Sequence, residues 1–284
     1  MKIGIYGNCQ SNGFADSIYS FLDNIEIHLY RLNDAIKASK DELRRQFEGF
    51  KDCDIIFYQP TLGTQIEPFD EQGFSSVCDK LIPYPHIAFR SLQPDCHHIK
   101  HDGSWLKGPM GPYHSAIIAA GYLEGLSPHR VERLFNSYTY HKLEYLGRKL
   151  SNEVLAKDAK ALGYNFDDFM LGKRGKFMNT VNHPAINIIF SSAEQALVKA
   201  GLKLSKEGCQ PPDRLAKFYV WPVYTEISDQ FGIIDPMIFS APKGVNMSLK
   251  DMISSSFDVY SSLASPLNTA QINDARNFIR SDIY

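Results

Sequence analysis

Across residues 1–90 the apolar positions switch repeatedly between two periods. The run Lys2–Tyr6 reads as a buried strand. Phe14, Ile18, Phe21 and Leu22 then recur at i, i+4, i+7 and i+8, one face of a helix. Ile25, Ile27 and Leu29 alternate as a strand does, and Ser39–Phe50 forms a charged helix. The run Asp54–Tyr58 is apolar after its first residue, as a strand covered on both faces must be. A helix over 70–81 and a fourth strand over His86–Phe89 complete a β-α-β-α-β-α-β order. That order predicts an α/β fold with a small parallel sheet and flanking helices. Ligands of such sheets gather at the carboxyl ends of the strands. Here those ends are Gly7–Gln10, Gln59-Pro60 and Arg90–Pro94.

A loop rich in His, Gly and Pro covers 95–113, and the period then settles at 3.6. Residues 115–124 form an apolar helix. Ser127-Pro128 supplies an N-cap with Pro at the first helical position, and Val131, Leu134, Phe135 and Tyr138 continue one face. Further helices follow over Ser151–Leu162, from Pro184 to a stop at Gly201, from Ser248, and in the tail from Ser265. The chain thus divides into an α/β subdomain, 1–105, and a mostly helical, loop-rich part, 106–284, completing the same domain and pocket.

Composition narrows the function class. A net charge of −2 leaves no global basic field for nucleic acid or an anionic membrane, so any anion site is local. No apolar run reaches the length of a membrane span, and the first residues lack the pattern of a secretory signal, which points to a cytoplasmic protein. Five cysteines without a CxxC pair fit free thiols in a reducing compartment.

Candidate chemistry starts at Gly7-Asn8-Cys9-Gln10. A cysteine on a strand-to-helix turn meets the free N–H groups and positive dipole end of the helix, which lower a thiol's pKa. Asn8 and Gln10 are amide donors suited to an oxyanion. The competing reading of Cys9 is a small buried thiol. Glycines for a dinucleotide fingerprint and a Walker lysine are missing. In "GPMGPYHS" two turns hold Tyr113, His114 and Ser115 at a helix entrance; His114 is a candidate general base, or a solvent-facing residue beside a Ser115 cap. In "NTVNHP" Pro184 at the first helical position makes His183 the expected N-cap, kept neutral by the dipole. The cluster Cys96, His97, His98, His101 and Asp102 matches no zinc spacing, so no metal is expected. Arg90, by its position at a strand end, and Arg174 and Lys176 in the basic turn "GKRGK" are the candidate anion ligands.

"IYGNCQ", Gln59-Pro60, "SLQPD", "GPMGPYHS" and "NHP" followed by a helix occur in this order over most of the chain, to about residue 225. The combination resembles the WcbI family of capsular polysaccharide biosynthesis proteins. The resemblance implies coenzyme A or acetyl-CoA as substrate and acetyl transfer to a hydroxyl of a surface polysaccharide sugar. Its partners would be the carbohydrate acceptor and other polysaccharide-biosynthesis proteins. The expected site has Cys9, His114 and His183 as catalytic groups. Gly7, Asn8, Gln10, Gln59, Tyr113, Ser115 and Asn182 hold oxyanion or substrate, and Ser11, Arg90, Arg174 and Lys176 hold the coenzyme. Two other classes compete: a thiol esterase or deacetylase of SGNH type, and a non-catalytic component that binds coenzyme A or sugar.

Overall fold

The computed structural model describes residues 1–60, 66–147, 149–264 and 267–283. They group into two compact units, each discontinuous in sequence. The first comprises Met1–Ala88, Val154–Asp167 and Pro184–Leu215. Its strands β1 (Lys2–Gly7), β2 (Glu26–Arg31), β3 (Ile55–Tyr58) and β4 (Leu81–Pro83) form one parallel sheet in the order β2-β1-β3-β4.

Strand alternation sorts the core. Tyr6, Ile56 and Tyr58 face an aromatic cluster with Tyr30, Phe47, Phe50, Phe69 and Phe74. Phe57, on the opposite face, meets Phe14 of helix α1 (Ser11–Phe21) edge-on at 5.7 Å. Helix α1 packs in turn on the helix Ile186–Lys199, with Phe21 and Phe190 rings 4.6 Å apart. The connection from β1 leads to one side of it and the next connection to the other. The crevice at this reversal opens at the carboxyl ends of β1 and β3, where Gly7–Gln10 and Gln59 stand.

The expected fourth strand, His86–Phe89, is not a strand. The sheet uses Leu81–Pro83, and the helix expected over 70–81 shortens to Glu71–Ser75. Pro83 and Pro85 lack the N–H groups that a ladder needs. Beyond β4 the chain leaves the sheet, and side chains satisfy its backbone: Gln10 Nε2 donates to Ile87 O at 2.7 Å and Ile87 N donates to Gln10 Oε1 at 3.1 Å. Arg90 therefore does not close a strand.

The second unit comprises Phe89–Glu153, Asp168–His183 and Ala216–Tyr284. At its centre lies the helix Ala116–Leu123, buried from Ala116 to Gly121. It packs against the helices Pro128–Glu132, Leu249–Ser261 and Ala270–Asp282. Ser127 caps the helix Pro128–Glu132 with Pro128 at its start, and Ser248 with Asp251 forms a capping box on Leu249–Ser261. The tail's expected start at Ser265 lies outside the described residues. The loop expected over 95–113 contains a short antiparallel pair, Cys96–His98 with Tyr113–Ser115.

That pair is fixed by a buried carboxylate. Asp95 Oδ2 accepts from Ser115 Oγ at 2.5 Å and from Tyr224 Oη at 3.0 Å, and Trp221 Nε1 donates to Tyr224 Oη at 3.2 Å. Burial pushes the Asp95 carboxyl up to about 6 although these hydrogen bonds pull it down. Among the described residues no helix is long and apolar enough to cross a membrane, and no three His, Cys, Asp or Glu side chains gather as a metal site.

Candidate functional site

The turn after β1 is built by side chains from three later segments of the first unit. Asn8 N donates to Gln59 Oε1 at 2.9 Å, just past the end of β3. Gln59 Nε2 donates to Pro85 O at 3.3 Å and to Gln10 Oε1 at 3.4 Å. Ser11 Oγ donates to Asn8 O at 2.8 Å and lies 3.2 Å from Tyr84 Oη. The space at Gly7 is closed: a Cβ there would lie 2.3 Å from Tyr84 Oη, 2.6 Å from Ser11 Oγ and 2.7 Å from Gln59 Oε1. Glycine is required because three bonded polar groups converge on it.

These bonds revise several expected roles. Gln10 is buried and spends both ends of its amide on Ile87, so it braces the turn instead of donating to an oxyanion. Gln59 and Ser11 are likewise buried and committed to the turn, not to substrate or coenzyme. Asn8 differs. Its Oδ1 accepts from Gln10 N at 2.9 Å, and among the described residues no hydrogen bond engages its Nδ2, which stays available as a donor.

Cys9 is half-buried and carries a free thiol on this rigid turn. Burial pushes its pKa up. A hydrogen bond at its own backbone and the charge of Arg31 pull the other way and are outweighed. The lowered pKa expected from the helix terminus is therefore corrected: at neutral pH Cys9 rests as the thiol.

The second unit holds the other expected residues. His114 is buried with both ring nitrogens spent. Nε2 donates to Leu106 O at 3.1 Å, and Nδ1 accepts from Tyr260 Oη at 3.0 Å. Desolvation drives its pKa to about 4. A neutral imidazole locked between a carbonyl and a buried phenol is a packing residue, which does not suit the expected general base. Ser115 caps the Ala116–Leu123 helix through Ile118 N and binds Asp95. Tyr113 Oη donates to Asn182 Oδ1 at 2.7 Å, and its ring meets His183 edge-on at 5.8 Å. His183 is half-buried and is not an N-cap: with Pro184 it forms a short strand, and the following helix starts at Ile186 with Ala185 as its cap.

Of the basic candidates, Lys176 is committed to Asp235 at 2.5 Å and to Trp221 O at 3.1 Å, which removes it as a phosphate ligand. Arg174 is exposed on a turn. Arg90 lines a cleft. Sequence reasoning missed Tyr84, Asp95, Tyr224 and Tyr260, whose hydroxyls and carboxylate hold the motifs in place. Asp95 lies in "SLQPD", so the motif itself was the available signal.

The model of the family described as "polysaccharide biosynthesis enzyme WcbI" matches residues 2–205 of this chain. A solved structure of WcbI is similar over 97% of this chain and 98% of its own length, with a TM-score of 0.69 and 17% identity. It is described as the native protein without a disulfide bond between coenzyme A and one of its cysteines. No curated protein matches the chain.

Proposed function

Because the chain belongs to the WcbI family of polysaccharide biosynthesis enzymes, we propose that it transfers an acyl group, acetyl in the simplest case, from a coenzyme A thioester to a sugar hydroxyl. The observation that carries this function is the half-buried Cys9 thiol on a braced turn at the β1/β3 crevice. The fit to coenzyme A is chemical: an uncharged thiol and an amide donor, Asn8 Nδ2, suit a thioester sulfur and its carbonyl oxygen. The WcbI relative's description names coenzyme A together with a cysteine, which agrees with this fit.

Transfer is direct. The acceptor hydroxyl gives its proton to a base, its oxygen bonds to the acyl carbon, and the carbon–sulfur bond breaks to release coenzyme A, whose sulfur takes a proton. Asn8 holds the oxyanion. Cys9 lines the place of the sulfur. A resting thiol with a raised pKa is a poor nucleophile without a dedicated base, which favours this route over an acyl-cysteine intermediate and over the thiol esterase.

Cys9→Ser should keep the acyl-transfer kcat within about threefold of wild type, and mass spectrometry after brief acyl-CoA exposure should find no acyl group on Cys9. A loss of about a thousandfold would instead mark Cys9 as the nucleophile. Rapid acetate release without any acceptor would favour the esterase.

A further inference from the structure

The second unit contains a cleft of about 680 Å³ lined by Arg90, His141, Lys149 and Asn152, with Glu144 and Asp274 also on its walls. Arg90 is clamped through its backbone. Its N–H donates to Glu153 Oε2 at 2.8 Å, its carbonyl accepts from Gln93 N at 3.1 Å, and Ser91 Oγ holds Glu153 Oε1 at 2.6 Å. Arg90 is half-buried, yet among the described residues no ion pair joins it to a carboxylate within 4.0 Å. Other half-buried cations of the same unit are paired: Lys176 with Asp235 and Arg276 with Glu124.

A half-buried arginine without a carboxylate partner is free to take an anion, and the planar fork of its guanidinium fits phosphate oxygens in pairs. Lys149 is a second cation lining the cleft. The acidic side chains look unfavourable for an anion, but Glu144 and Asp274 are exposed and are acceptors only. They suit the hydroxyl donors of a sugar, as Asn152 does with either end of its amide. Cation and hydroxyl acceptors in one cleft describe a ligand with both chemistries.

We propose that the Arg90 cleft binds a phosphorylated sugar, with the phosphate on Arg90 and Lys149 and the hydroxyls on Glu144, Asp274 and Asn152. Two ligands share this chemistry: the ribose 3′-phosphate of coenzyme A and a phosphorylated acceptor sugar. The coenzyme arm rests on the acyl-transfer function proposed above, and the acceptor arm does not.

Calorimetric titration of the full chain separates them, using coenzyme A, its 3′-dephospho form, glucose 6-phosphate and glucose as probes. Arg90→Gln should weaken at least one phosphorylated probe by about tenfold or more, with partial recovery in Arg90→Lys. If the coenzyme is the source, dephospho-CoA binds wild type as weakly as coenzyme A binds Arg90→Gln. If the acceptor is the source, glucose 6-phosphate weakens and coenzyme A does not. Unchanged affinities in Arg90→Gln, equal weakening of glucose and glucose 6-phosphate, or no binding of either phosphorylated probe would overturn the proposal. Absence of coenzyme A binding alone would remove the acyl-transfer function and leave the glucose 6-phosphate result to decide the cleft. The unfolding midpoint followed by Trp221 fluorescence verifies that both variants are folded.

Discussion

Gly7→Ala is expected to destabilise the first unit by about 3–5 kcal/mol and to disorganise the Cys9 turn. The added methyl would lie 2.3 Å from Tyr84 Oη, 2.6 Å from Ser11 Oγ and 2.7 Å from Gln59 Oε1. None of these atoms can retreat cheaply. Ser11 Oγ holds Asn8 O, Gln59 Oε1 holds Asn8 N, and the Tyr84 ring is stacked on Phe14 at 4.0 Å. Overpacking costs about 1–3 kcal/mol, and each displaced buried hydrogen bond adds about 1 kcal/mol or more. Urea unfolding measures the loss, and a change below about 0.5 kcal/mol would show that the turn is not closed around Gly7.

The second large effect is loss of stability on acidification. Desolvation lowers the pKa of both His97 and His114 from 6.5 to about 4. Arg90, His114 and His98 push His97 in the same direction and His98 does so for His114, while the carbonyls of Asp95 (for His97) and Leu106 (for His114) oppose it. As pH falls from 6.5 towards 4, the unfolded chain binds protons that the native imidazoles cannot, so native stability drops. Each histidine accounts for about 3 kcal/mol. Asp95 acts with the opposite sign. Its folded pKa is raised from 3.8 to about 6, so its protonation over that window favours the native state, offsetting about 3 kcal/mol. Two histidines outweigh one carboxylate, and the lowered pKa of His98 and His86 adds to their side. The net loss by pH 4 is about 3 kcal/mol or more. Trp221, fully buried and bonded to Tyr224, reports the second unit by fluorescence. Asp95→Asn should steepen the loss by removing the offset. Stability that stays flat between neutral pH and pH 4 would contradict these assignments.

Much of the first unit was legible from local pattern alone, because β1 and β3 are continuous apolar runs and the buried α1 face recurs at helical spacing. The fourth strand was not. Ile87 and Phe89 are apolar because they are buried, but the backbone of Ile87 pairs with the Gln10 side chain across 77 positions in sequence. No local pattern encodes such a bond. The same cause misassigned Gln10 and Gln59. Polar residues beside a cysteine suggest an oxyanion site, yet their amides are consumed by distant backbone. Ser115 was legible as a cap, while His114 beside it proved to be packed because Tyr260 and Leu106 meet its ring. Asn8 and Cys9 are the members of the opening motif that the fold leaves chemically available.

The central claim is that Cys9 lines the place of the coenzyme's sulfur. Incubation with the symmetric disulfide of coenzyme A, followed by peptide mass spectrometry, tests it most directly. Cys209 is exposed and serves as an internal control, whereas Cys53, Cys78 and Cys96 are buried. The expected result is one coenzyme adduct on Cys9, formed at far lower concentration than the glutathione adduct from glutathione disulfide, with Cys209 showing no such preference. Modification confined to Cys209, or Cys9 reacting equally with both disulfides, would contradict the claim.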